Sequence, residues 1–185
     1  YISWYTRHWQ YTIGIMANIK ITKERFKKVI KLYFNWKQLN AGIKEDYTRG
    51  VNLPEAITEP ICCYVNGFYL SLGEGSEDAV VPQTQELVQI KATSNFNSDL
   101  TSFGPQSKFS ILHFVRLNQD EDKMYLYDIP VENLKKVKVN AKETYEEQQL
   151  QGRRPRFSII DKYINVYNIE PYAIVDLNTE EIIRL

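Results

Sequence analysis

The sequence holds two cysteines in 185 residues, and they are neighbours, Cys62-Cys63, in an apolar stretch. That arrangement provides neither a disulfide framework nor the CxxC spacing of a zinc site, so it reads as a pair of small buried hydrophobes in a reducing compartment. No apolar run approaches the roughly 20 residues that span a bilayer. The aromatic stretch 1–15 is interrupted by Arg7, His8 and Gln10, unlike the core of a signal peptide. A cytoplasmic protein without membrane contact is expected, with residues 1–15, ahead of Met16-Ala17-Asn18, as an N-terminal extension. Glycine-rich phosphate loops, HExxH and GxSxG are all missing, which leaves kinase, zinc-protease and serine-hydrolase chemistry without residues to carry them. Histidine is scarce too. His8 lies in the extension, and His113 sits in an apolar segment where a core role outranks metal ligation.

There is also no excess of either charge, with 23 basic and 23 acidic side chains, but the two signs are unevenly spread. Residues 1–50 carry a net charge of +7, residues 51–130 carry −7, and residues 131–185 are neutral. A basic segment followed by an acidic one suits a protein that grips a polyanion while holding divalent metal among carboxylates. With 43% hydrophobic and 25% charged residues, the remainder (16–185) fits a single globular domain. A domain of this length buries roughly 70% of its chain surface and needs no metal or disulfide to fold.

Thr22 is placed to cap a helix from Lys23 to about Leu39, with Phe26, Val29, Ile30, Tyr33 and Trp36 on one stripe and Asn40 to Gly42 ending it. Lys20, Lys23, Lys27, Lys28 and Lys31 gather on the other side, as a solvated face or a phosphate-facing strip. A polar loop, 43–53, precedes a second helical region, Pro54 to Leu72, which begins at Pro54 or restarts at Thr58, is weakened by Gly67 and ends at Gly73-Glu74-Gly75. Two strands, Asp78 to Pro82 and Glu86 to Thr93, form a hairpin around Gln83-Thr84-Gln85. After a polar loop to Lys108, Phe109 to Leu117 and Met124 to Ile129 make a second strand pair. Val131 to Lys136 and Phe157 to Ile164 read as helical, and the basic loop Arg153-Arg154-Pro155-Arg156 lies between them. Helices, then strands, then helices point to an α/β domain with a central mixed β-sheet flanked by helices.

The chemistry concentrates in Gly75-Ser76-Glu77-Asp78-Ala79-Val80-Val81 and Gln85-Glu86-Leu87-Val88-Gln89-Ile90-Lys91-Ala92-Thr93. Strand alternation puts Gln89 and Lys91 on one face and turns Glu86 away. A hairpin that brings Asp78 beside them assembles a carboxylate, an amide and an ammonium. A lysine on an otherwise apolar strand is costly unless it has an anionic partner.

This pattern resembles the PD-(D/E)XK nuclease signature. The resemblance implies a nuclease core in which Asp78, the backbone carbonyl of Ile90 and a further carboxylate bind Mg2+, while Lys91 positions the attacking water and offsets developing charge. Gln89 stands where a carboxylate is usual, so the second carboxylate must come from elsewhere. Glu55 and Glu59, four apart on one helix face, are the candidates; Glu77 points the wrong way.

The strings Ile90-Lys91-Ala92-Thr93-Ser94-Asn95, Asp99-Leu100-Thr101-Ser102-Phe103-Gly104-Pro105-Gln106-Ser107-Lys108-Phe109, Asn52-Leu53-Pro54-Glu55-Ala56-Ile57-Thr58-Glu59 and Arg153-Arg154-Pro155-Arg156-Phe157-Ser158 resemble the small type II restriction endonucleases of the Bsp6I type. That resemblance covers roughly Asn35 to Ile174. It implies a homodimeric, magnesium-dependent endonuclease that cuts double-stranded DNA inside a short palindrome, GCNGC in the typifying family, with a cognate DNA methyltransferase as a genetic partner only. Short polar side chains at Thr93, Ser94, Asn95, Asn97 and Ser102, with Lys108, suit base edges or phosphates, and Arg153, Arg154 and Arg156 suit phosphates or guanine. Two other readings stay open: a structure-selective repair or recombination nuclease of the same fold, and a non-catalytic DNA-binding module in which Gln89 marks a decayed site.

Overall fold

A computed structural model of the chain describes residues 18–73, 75 and 77–185; the proposed extension, 1–15, lies outside them. The Thr22 hydroxyl accepts the Arg25 N–H at 3.2 Å and caps α1, Lys23–Asp46. Its buried stripe is the predicted Phe26, Val29, Ile30, Tyr33 and Trp36. The helix does not stop at Asn40 to Gly42 as expected. Asn40 is buried, and its side-chain oxygen accepts the Val51 N–H at 2.8 Å, so it fastens the following loop instead of breaking the helix. Gly50 is needed there because a Cβ would collide with the Asn40 amide.

Helix α2, Glu55–Asn66, starts after Pro54 and carries Pro60 in its second turn; it does not restart at Thr58. It ends at Gly67, which adopts the left-handed conformation (φ 71°) that L side chains resist. The residues expected to prolong it become a strand, β2 (Tyr69–Leu70).

Strands β1 (Ile19–Lys20), β2, β3 (Ala79–Val80), β4 (Leu87–Thr93), β6 (Ile111–Asn118), β7 (Lys123–Asp128), β9 (Ala173–Asp176) and β10 (Glu181–Arg184) form one sheet in the order β1-β2-β3-β4-β6-β7-β9-β10. Only β4 and β6 pair in parallel; their neighbours are antiparallel, so the predicted mixed sheet is present. Within the loop 94–108, Thr101–Ser102 forms β5, which pairs with β8 (Arg156–Phe157). Phe157 is therefore a strand residue and not the start of a helix. The helical segment begins at Ile159 and includes a π-helical turn, Ile160–Ile164, before α5 (Asn165–Tyr167). The short α3 (Val131–Leu134) matches expectation. Helix α4 (Tyr145–Leu150), with its Thr144/Glu147 capping box, and the β9–β10 hairpin carried no assignment in the sequence reading.

Apolar side chains fill both faces of the sheet. On one, Val88, Ile90, Val115 and Leu117 pack with Phe26, Ile30 and Tyr33 of α1 and Ile57, Ile61, Cys62 and Cys63 of α2. On the other, Leu112, Phe114 and Tyr127 pack with Leu134, Tyr145, Ile159, Ile160 and Tyr163. Alternation along β6 thus feeds two cores, which explains the near-continuous burial along that strand. Both cysteines are free and buried. His113 is a core residue as expected, with Nδ1 2.9 Å from the Tyr172 hydroxyl.

Candidate active site

The site follows from a mismatch in strand length. β3 has two residues and covers only Val88 and Leu87 of β4, whose next five residues continue without a partner on that side. A strand residue points its N–H and C=O to the same edge, alternately left and right, so those of Ile90 face the vacated edge as those of Val88 face β3. Asp78, immediately before β3, fills part of the gap. Its backbone N–H donates to the Val88 carbonyl at 3.0 Å. Its Oδ2 accepts the Ile90 N–H at 2.6 Å and the side-chain amide N–H of Gln89. The Ile90 carbonyl is left facing a cleft.

That cleft, of about 500 Å³, is lined by Ile90, Lys91, Thr93 and Ser94 of β4 and its exit, by Asn52, Glu55 and Thr58 around the start of α2, and by Asp99, Ser102 and Arg154. Gln89 is buried and donates to Asp78, so its amide orients the carboxylate. Lys91 shares its face by alternation and is half-buried. Its ammonium acts on both Asp78 and Glu59, which supplies the anionic partners that a lysine on this strand requires.

Two carboxylates are held under strain of charge. Burial first, then the charges of Asp78 and Glu55, push Glu59 up to about 8, with Lys91 pulling the other way. Burial also raises Asp78, opposed by the Ile90 N–H, Lys91 and Gln89. Beneath them burial pushes the Cys62 thiol up to about 12, with Asp78 and Glu59 adding to the effect. Partly desolvated, mutually repelling carboxylates are what a bound cation relieves. Among the described residues no three His, Cys, Asp or Glu side chains gather as a metal cluster. The donors present are two carboxylates and a backbone carbonyl, all hard oxygens, which suit a divalent ion that keeps several waters.

The remaining predicted residues divide. Thr93, Ser94, Ser102 and Arg154 line the cleft. Asn95, Asn97 and Lys108 are exposed outside its lining. Arg153 is paired with Glu143, and Arg156 is exposed on β8. Sequence reasoning passed over Asp99, whose carboxylate accepts the Ser158 and Thr101 hydroxyls at 2.7 and 2.6 Å and the Ile159 and Ile160 N–H groups at 2.9 and 3.0 Å. It caps the helical segment from sixty residues away, and no local pattern could show that.

Asp78 bonds the overhanging end of β4, which carries Gln89 and Lys91, with the carboxylate-bearing α2 behind it, and the relatives of this sequence put the chain in the class of restriction endonucleases. Within that class, the model of the Bsp6I restriction endonuclease family matches residues 21–166, and the chain belongs to that family. The type II restriction enzyme Bsp6I of Bacillus sp. (strain RFL6) is 47% identical over 169 residues, which is 90% of this chain and 97% of that enzyme. No solved structure matches the chain. No helix among the described residues is long and apolar enough to cross a membrane.

Proposed function

We propose that this member of the Bsp6I restriction endonuclease family hydrolyses DNA phosphodiesters at a short palindromic site, using a PD-(D/E)XK centre made of Asp78, Gln89, Lys91 and Glu59. The observation that carries the reading is the bonding of Asp78 to Ile90 and Gln89 at the open edge of β4, with Lys91 on the same strand face.

Asp78 and Glu59, with the Ile90 carbonyl, would hold Mg2+, which when bound would polarise the scissile phosphate and lower the pKa of water. Glu59, half-buried and feeling the charges of Asp78 and Lys91, is taken as the second carboxylate; Glu55, exposed on the cleft lining and also acting on Asp78, is the other candidate. Gln89 keeps Asp78 in one rotamer. The Lys91 ammonium stabilises the charge that builds on the phosphate as water attacks phosphorus and the P–O bond to the leaving group breaks. Arg154, Ser102, Thr93 and Ser94 face the DNA backbone or base edges across the cleft.

Two cuts on opposite strands of a palindrome need two centres related by a two-fold axis, so the working unit is a homodimer of one-domain chains in the cytoplasm. A cognate methyltransferase protects the host DNA without contacting it.

The test is incubation of unmethylated plasmid, with GCNGC sites in its sequence, with magnesium and with EDTA, followed by sequencing of the fragment ends. Discrete magnesium-dependent fragments are expected from the native protein. Asp78→Asn and Lys91→Ala are expected to be folded and to lose at least a thousand-fold in rate. Either variant cutting at the native rate overturns the site assignment.

A further inference from the structure

The chain that leaves β4 two residues beyond Lys91 is held by its carbonyls. The Gln119 side-chain amide donates to the Ser94 carbonyl at 2.6 Å. The Thr93 hydroxyl reaches the carbonyls of Asn95 and Ser98 at 3.2 and 3.0 Å. Arg116 takes the Phe96 carbonyl twice, from Nε at 2.9 Å and from a terminal nitrogen at 2.5 Å. Four of the five carbonyls from 94 to 98 are thus bound by side chains, three of them from within the loop's own base or from β6 itself.

Arg116 is unusual in its setting. It is buried at the parallel β4–β6 pairing, directly across from Thr93. Its guanidinium lies 4.3 Å from the Phe96 ring centre and 5.5 Å from that of Tyr127, and its other terminal nitrogen donates to the Tyr127 hydroxyl at 3.2 Å. Among the described residues it has no salt bridge to a carboxylate. A buried cation satisfied by a loop carbonyl and two ring faces is costly unless the loop stays where it is. With the carbonyls drawn inward, Asn95, Asn97 and Ser98 are left exposed on a backbone further fixed by the Asn97 N–H to Asn95 side-chain bond at 3.0 Å.

We propose that Arg116 and Gln119 are positioning residues that preform loop 94–98 as a sequence-reading element for DNA, fixed in register to the cutting centre through β4. Preorganisation matters because base readout needs donors and acceptors held at set positions, and a mobile loop loses discrimination before it loses binding. Neither residue lines the cleft itself; Gln119 reaches its rim only through the Ser94 carbonyl and Arg116 holds the Phe96 carbonyl beyond it, so loosening the loop bears on site choice before bond cleavage. The inference rests on the reading of the Asp78–Lys91 cleft as the cutting centre.

The experiment compares native protein, Gln119→Leu, Arg116→Met and Arg116→Lys. Each is scored by fragment-end sequencing and by the ratio of kcat/KM on a duplex carrying the site found for the native protein to that on duplexes with one base pair changed. That ratio is expected to fall about ten-fold or more in Gln119→Leu and Arg116→Met, chiefly through faster cutting of altered sites. Arg116→Lys, which keeps the charge but not the fork, falls between. Because Arg116→Met removes a buried charge that braces the domain, Gln119→Leu, on a half-buried turn, decides the matter. An unchanged ratio in that variant overturns the proposal, as does an equal loss of rate on native and altered sites or a complete loss of cutting. Native protein that cuts no duplex at all refutes the cutting centre itself, which is a different result.

Discussion

Glu59 offers a direct check on the electrostatics of the cleft. The folded protein holds its proton up to about pH 8, whereas an ordinary glutamate releases it near 4.5, because the side chain is partly buried and faces Asp78 and Glu55. Here the folded-state pKa is raised, so the stability it contributes is complete below about 4.5 and is lost as pH rises through about 8. At 1.36 kcal/mol per unit the full difference approaches 5 kcal/mol. The side chain is only partly buried, and solvent screening reduces the usable figure to about 2 kcal/mol. For a domain of this size that is roughly 4 to 8 °C in Tm. Glu59→Gln has no proton to release. Melting curves in EDTA from about pH 4.5 to about pH 9 should therefore diverge, with native protein falling about 4 to 8 °C relative to the variant. The contribution of His113 remains in both proteins and cancels in the comparison. Magnesium at the upper pH should raise the native Tm more than that of the variant. Parallel curves across the range, with equal magnesium effects, would refute the account of two repelling carboxylates beside this cleft.

Other parts of the molecule make separate claims. Asp99→Ala removes one acceptor serving four donors, and chemical denaturation should report a loss of about 2 to 3 kcal/mol; a loss below about 0.5 kcal/mol contradicts the remote cap. Tyr33→Phe deletes the 2.6 Å hydroxyl bond to Asp122, which also holds Lys37, and should cost about 1 to 2 kcal/mol by urea titration, with an unchanged midpoint as the contrary result. The thiols of Cys62 and Cys63 are fully buried with raised pKa, so a disulfide reagent should leave both unmodified in the native protein and modify both in guanidinium. Rapid labelling of the folded protein counts against the packing of α2.

Much of this was written locally. The Thr22 cap, the stripe on α1, the β3–β4 and β6–β7 hairpins, the core roles of His113 and the cysteines, and the shared face of Gln89 and Lys91 depend on residues a few positions apart. Capping, periodicity and alternation act at that range. What failed did so for long-range reasons. Asn40 reads as a helix breaker until Val51 comes back to bond it, and the segment after Gly67 reads as helix until β1 and β3 flank it as strands. The β9–β10 hairpin is four residues on each side, too short for a periodicity to register, and gains its stability from β7. The sequence by itself determined that Asp78 stands at the head of one strand and that Gln89 and Lys91 share a face of the next. Only the tertiary structure decided that β3 stops short, so that Asp78 bonds the open edge of β4, that α2 brings Glu59 into its field, and that Arg116 and Gln119 fasten the loop beyond. Strand length mismatch, burial and the pairing of distant carbonyls are properties of the assembled sheet, because each depends on which surfaces exclude water from one another.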